Sequence, residues 1–168
     1  MELSFKGASM KLIFTDIDGV YNGCYTKARA PSGCIGIEQE KLSLLKEIVD
    51  ATNAKIVLTS TWKTEWFSTS VKEDLPKDGA YLEKEFIKQG LHIWRKTEDP
   101  SWAQRGQGIL DFIETSKYNV EQFVILDDES FDFIELGLEN RFVKTSFTDG
   151  LLPEHIEKAV SILNGCKA

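Results

Sequence analysis

Three short, unbroken apolar runs constrain this chain more than any other feature. Leu12, Ile13 and Phe14 lead into Thr15 and Asp16. Ile56, Val57 and Leu58 lead into Thr59 and Ser60. Phe123, Val124, Ile125 and Leu126 lead into Asp127 and Asp128. A strand that is apolar at every position has both faces buried, which is the habit of parallel sheets covered by helices. Stripes at helical spacing fill the gaps. Leu42, Leu45, Ile48 and Val49 mark a helix over about residues 38–51. Ile109, Phe112 and Ile113 form a second stripe, and Ile156, Ala159, Val160 and Leu163 a third, with Pro153 near its first turn. Weaker apolar runs at residues 91–94 and 141–143 suit sheet edges, and residues 33–36 and 76–79 read as loops. Strands alternating with helices imply an α/β fold, three-layered and doubly wound, with a mainly parallel, Rossmann-like sheet. At 168 residues the expectation is one domain over residues 11–168, preceded by an N-terminal extension, residues 1–10.

Composition narrows the functional classes. No apolar run approaches the roughly 20 residues of a membrane span, and no apolar signal core opens the chain. The three cysteines, Cys24, Cys34 and Cys166, show no C-x-x-C spacing. They read as free thiols in a reducing cytoplasm rather than as disulfides or zinc ligands. The net charge of −7 gives no support to a broad nucleic-acid-binding surface. His92 and His155 lack metal-ligand spacing and read as structural. Trp62, Trp66, Trp94 and Trp102 read as core residues, with some available to line a substrate rim.

The chemistry lies where the apolar runs stop. In open α/β sheets, ligands bind outside the carboxyl ends of the strands. If the three strands are neighbours, Asp16, Asp18, Ser60, Asp127 and Asp128 converge on one crevice. Four carboxylates in a low dielectric repel each other. A divalent cation relieves that repulsion, hard oxygen donors suit Mg²⁺, and the metal in turn suits a phosphorylated substrate. A calcium loop starting at Asp16 would need Glu at its twelfth position, where Lys27 stands. Taken singly, Ser60 and the Asp127-Asp128 pair could be no more than helix caps.

The run from Leu12 through Asp16-Ile17-Asp18-Gly19-Val20 resembles the first motif of haloacid dehalogenase-type phosphatases. Residues 56–60 resemble the second motif, and residues 124–128 the fourth. Ser60-Thr61-Trp62-Lys63, Arg105-Gly106 and Thr148-Asp149-Gly150-Leu151 are similar to the dehalogenase-type domains of RNA-repair proteins, although Lys63 stands where Arg is more usual. The resemblance implies Asp16 as nucleophile and Asp18 as general acid and base. It implies Ser60, the Thr61 amide and Arg105 as phosphate ligands, with Lys117 and Lys63 as alternatives to Arg105. For Mg²⁺ it implies Asp16, Asp18 through its backbone carbonyl, and Asp128. Asp127 is a ligand or stands behind one, and Asp132 is a further candidate.

The rivals to this reading are a metal-dependent transferase that uses Asp16 and Asp18 only as ligands, and a non-catalytic phosphate-binding module of the same fold. Members of the family often enclose small substrates under a cap domain. After the sheet's own elements are placed, neither the stretch from Asp18 to Ser60 nor that from Ser60 to Asp127 has room for a full one. Residues 20–36 remain as a loop or flap, a minimal cap. An open site admits the end of a large substrate, so nucleotide or polynucleotide phosphate ends are the expected partners.

Overall fold

The computed structural model describes residues 7–68 and 74–166. Its strands are β1 (Ser9–Thr15), β2 (Lys55–Leu58), β3 (Ile93–Lys96), β4 (Asn119–Asp127) and β5 (Phe142–Lys144). They form one all-parallel sheet in the order β3-β2-β1-β4-β5. The helices are α1 (Gln39–Thr52), α2 (Lys77–Lys88), α3 (Arg105–Thr115) and α4 (Pro153–Leu163). The chain winds outward from β1 to β3, then crosses to the other side of β1 for β4 and β5. The sheet is therefore doubly wound, with its switch point between β1 and β4.

Alternation along the strands builds two cores. Ile13, Ile56, Leu58, Val124 and Leu126 face the layer of α1, α2 and α4. Leu12, Phe14, Val57 and Ile125 face α3 and the segment carrying Phe133 and Leu138. Side chains of period two are thus buried on both faces, which is why the strands read as continuous apolar runs.

The boundaries differ from expectation where turns intervene. β1 begins at Ser9, so residues 9 and 10 pair with Asn119 and Val120 rather than lying outside the fold. The edge strand expected at residues 91–94 starts at Ile93, because the Leu91 amide closes α2 by donating to the Phe86 carbonyl (3.0 Å). At the other edge, Arg141 is taken up by a turn onto the Leu138 carbonyl (2.9 Å), and β5 starts one residue late. The loop expected at residues 76–79 is the start of α2. Pro76 stands just ahead of its first turn. Gly79 is a packing residue rather than a breaker, because a Cβ there would lie 1.7 Å from the Glu65 carbonyl oxygen.

Residues 20–36 contain no helix or strand and form the flap. It is tied to α2. The Ser32 amide and hydroxyl both donate to Asp78, and just beyond the flap the Ile37 amide donates to the Tyr81 hydroxyl (3.0 Å).

Candidate active site

Strand register brings the acids together. Thr15 pairs with Leu126 on one side and with Leu58 on the other. The next residues therefore leave the sheet side by side. The Asp16 amide donates to the Leu126 carbonyl (2.9 Å) and the Thr59 amide to the Thr15 carbonyl (2.9 Å). Carboxylate oxygens of Asp16, Asp127 and Asp128 lie within 4.8 Å of one another. Asp16 and Asp127 are buried and Asp128 is half-buried.

Arg105, the first residue of α3, is the cation at the centre. Its Nη1 lies 2.9 Å from Asp16 Oδ2 and 2.8 Å from Asp127 Oδ2, and its Cζ sits 4.3 Å from the centre of the Phe131 ring. Asp132 holds the helix that carries it. The Asp132 carboxylate accepts from the Gly106 amide (2.6 Å) and the Gln107 amide (3.1 Å), the placement of an acid at a helix N-terminus. One guanidinium does not balance three carboxylates. Burial pushes the Asp127 carboxyl up to about 8, with the Asp16 charge adding to it and Arg105 opposing. Burial also raises Asp16, against Arg105 and the hydrogen bonds from Ser60 and the Ile17 amide. Asp128 is raised by burial and then by the Asp16 charge. Arg105 itself is raised, its own burial outweighed by the two acids.

Asp18 is held differently. Its Oδ1 accepts from the Asn22 side-chain amide (2.8 Å) and its Oδ2 from the Trp62 indole N–H (3.0 Å). Asn22 completes the turn by accepting from the Gly19 amide (3.0 Å). Gly19 has φ +76°, and a Cβ there would lie 2.3 Å from Asp128 Cγ. Only glycine lets the turn after Asp16 pass this close to the β4 acids. The Asp18 carboxylate lies outside the set formed by Asp16, Asp127 and Asp128.

The remaining expected residues fall on both sides of this centre. Ser60 is buried. Its oxygen accepts from the Trp62 amide (3.3 Å), and its hydroxyl bonds to Asp16. Thr61 is exposed and lies on the rim of two clefts, one bordered by Arg105 and one by Asp18. Lys63 lines the first of these clefts but is ion-paired with Asp99. Lys117 precedes β4, at the amino end of the sheet opposite the acids. The Asp132 carboxylate is engaged by α3. Among the tryptophans, Trp66 is core, Trp94 is half-buried, and Trp102 is 81% exposed on the Arg105 cleft. His155 caps α4, its Nδ1 accepting from the Leu152 amide (3.0 Å), and His92 is exposed. Sequence reasoning missed Asn22 and the bond that ties Trp62 to Asp18. Asn22 follows Asp18 by four residues in a turn, a spacing that carries no signal of its own.

The donor set fits Mg²⁺. Three carboxyl groups present hard oxygens to one point beside a single guanidinium, and a divalent cation there would let all three ionise.

Acids beyond β1 and β4, a hydroxyl beyond β2 and a buried cation at the switch point of a parallel sheet are the arrangement of the haloacid dehalogenase (HAD) class of Rossmann-like α/β folds. The model for the HAD domain in Swiss Army Knife RNA repair proteins matches residues 12–156, and the chain belongs to this family. No curated protein matches it. Among solved structures, it is similar to the hypothetical protein XCC2798 from Xanthomonas campestris, with 14% identity and a TM-score of 0.47, over 94% of this chain and 84% of that one. It is also similar to a Legionella pneumophila protein assigned to HAD superfamily hydrolase subfamily III A, with 13% identity and a TM-score of 0.49, over 94% and 85%. A chain of the Pnkp1/Rnl/Hen1 complex shares 17% identity at a TM-score of 0.44, over 88% of this chain and 51% of that one.

Proposed function

We propose that the protein is a Mg²⁺-dependent phosphatase that works through an aspartyl-phosphate on Asp16 and acts on nucleotide or polynucleotide phosphate ends. One observation carries the reading: Arg105 bridges Asp16 and Asp127 at a point where Asp128 also converges. Asp16, Asp128 and the Asp18 carbonyl would hold the metal, with Asp127 as a ligand or behind one. When bound, Mg²⁺ neutralises phosphoryl oxygens and so admits a carboxylate as nucleophile.

The chain's own residues account for the rest. The Ser60 hydroxyl, the Thr61 amide and the Arg105 guanidinium donate to the phosphoryl oxygens, Arg105 exchanging its carboxylate partners for the incoming phosphate. An Asp16 oxygen attacks phosphorus in line. The bond from phosphorus to the leaving oxygen breaks, and that oxygen takes its proton from Asp18. Asp18 then removes a proton from water, the water oxygen attacks phosphorus, and the bond to Asp16 breaks to release inorganic phosphate. Asn22 and Trp62 aim the Asp18 carboxylate for both steps. A transferase using Asp16 and Asp18 as paired ligands is disfavoured, because the Asp18 carboxylate is turned to these two donors.

The test is phosphate release from end-phosphorylated nucleotides and oligonucleotides in Mg²⁺. Activity that EDTA abolishes and Mg²⁺ restores is expected. Full activity in EDTA would refute the reading, and phosphate-ester binding without turnover would favour the non-catalytic module.

A further inference from the structure

Two clefts open from the centre and meet at Thr61. The first, about 920 Å³, runs past Lys63, Trp102, Arg105 and Phe131. The second, about 620 Å³, lies between Asp18, Trp62 and the flap residues Pro31 and Ser32, with Lys77 also on its wall. Their charge is lopsided. Glu98, Glu129 and Glu135 are exposed on the first cleft, and none makes an ion pair among the described residues. Glu65 and Asp78 line the second. Of the cations on the walls, Lys63 is paired with Asp99 and Arg105 with Asp16 and Asp127, which leaves Lys77. A path that tracks a phosphate backbone needs the opposite balance. The first cleft also offers a flat apolar surface beside the phosphate-binding residues. Trp102 is 81% exposed and makes no ring contact among the described residues. A planar base can stack there without bringing further charge.

We infer that the site takes one phosphate on an uncharged leaving group with a flat ring, a nucleoside monophosphate, and that the acidic rims repel the additional phosphates of a strand. The inference rests on the reading of Asp16 as a phosphatase nucleophile and chooses between the two substrates that reading allows.

The test compares kcat/KM in Mg²⁺ for a nucleoside monophosphate and for an oligonucleotide carrying the same terminal phosphate, at about 50 and about 200 mM salt. The mononucleotide should be preferred by about tenfold or more, and kcat/KM for the oligonucleotide should rise about twofold to fivefold with salt as repulsion is screened. Glu98→Lys with Glu135→Lys should raise the oligonucleotide value at low salt. Trp102→Ala should raise KM for the mononucleotide several-fold and leave glycerol phosphate unaffected. An oligonucleotide preferred over the mononucleotide, or one whose kcat/KM falls with salt, would overturn the inference and leave the catalytic reading standing. Equal values for both substrates at both salts would also overturn it. Absence of turnover with every phosphomonoester, including glycerol phosphate, would instead remove the catalytic reading and the inference together.

Discussion

Asp16 and Asp18 are two residues apart and are held by opposite means. Asp16 is buried with Asp127 against one guanidinium, with Asp128 close by, so the acids outnumber the cations. Asp18 is half-buried and receives two neutral N–H donors, from Asn22 and Trp62. The first arrangement crowds acids that hold on to protons until a further cation lets them ionise together. The second fixes a direction without adding charge. A nucleophile beside a metal needs the former, and a group that passes a proton to and fro needs the latter.

Removing Arg105 should break the first arrangement most visibly. Arg105→Ala should cost about 10²-fold or more in kcat/KM, the scale of losing one transition-state donor. It should also leave Asp16 and Asp127 buried without a counter-charge, and so lower stability by about 3–5 kcal/mol in the metal-free protein. Denaturant melts with and without Mg²⁺ check this, and the loss should shrink when Mg²⁺ is present.

The Asp18 side should respond more mildly. Trp62→Phe or Asn22→Ala should lower kcat by about tenfold while leaving KM near its original value, because each removes aim rather than binding. A change confined to KM would show that these residues contact substrate instead.

The charge comparison also sets a pH dependence. Asp127 is held up at about 8, against an ordinary value of 3.8. Between those values the folded state keeps a proton that the unfolded chain releases, so stability of the metal-free protein should fall as pH rises through this window. Mg²⁺ requires the ionised acids, and its stabilising shift in Tm should therefore grow over the same range. A Tm that climbs with pH in EDTA would contradict the assigned burial of Asp127. The smallest effect is expected at Lys117, on the far side of the sheet. Lys117→Ala should leave kcat/KM within about twofold, since exposed surface changes away from a site are near neutral.

The two sides of the molecule also differ in how far the sequence reveals them. β1, β2 and β4 are apolar at successive positions because both faces are covered, and the acids that end them are visible at once. The doubly wound order follows, and with it the meeting of Asp16, Ser60, Asp127 and Asp128. α2 was hidden because its buried face carries Glu83 and Glu85 among Leu82 and Phe86. Those acids find partners, Glu83 in the Trp66 indole (2.6 Å) and Glu85 in Gln39 across the fold (2.7 Å) and Lys88 on the same helix (2.6 Å), and their presence breaks the apolar stripe. The hold on Asp18 was hidden for a related reason. Trp62 reaches it from 44 positions away, and no local pattern encodes that contact.

The most direct test of the account is whether phosphate passes through Asp16. Asp18→Ala removes the group that activates water in the second step, and with an aryl phosphate, whose leaving oxygen departs without a proton, the first step survives, so the covalent intermediate should accumulate. Acid quenching of that protein with Mg²⁺ and an aryl phosphate, followed by peptide mass analysis, should find one phosphoryl group on the peptide containing Asp16. Asp16→Asn should abolish both the label and turnover. Steady phosphate release by the Asp16→Asn protein, or turnover with label on another residue, would contradict the account.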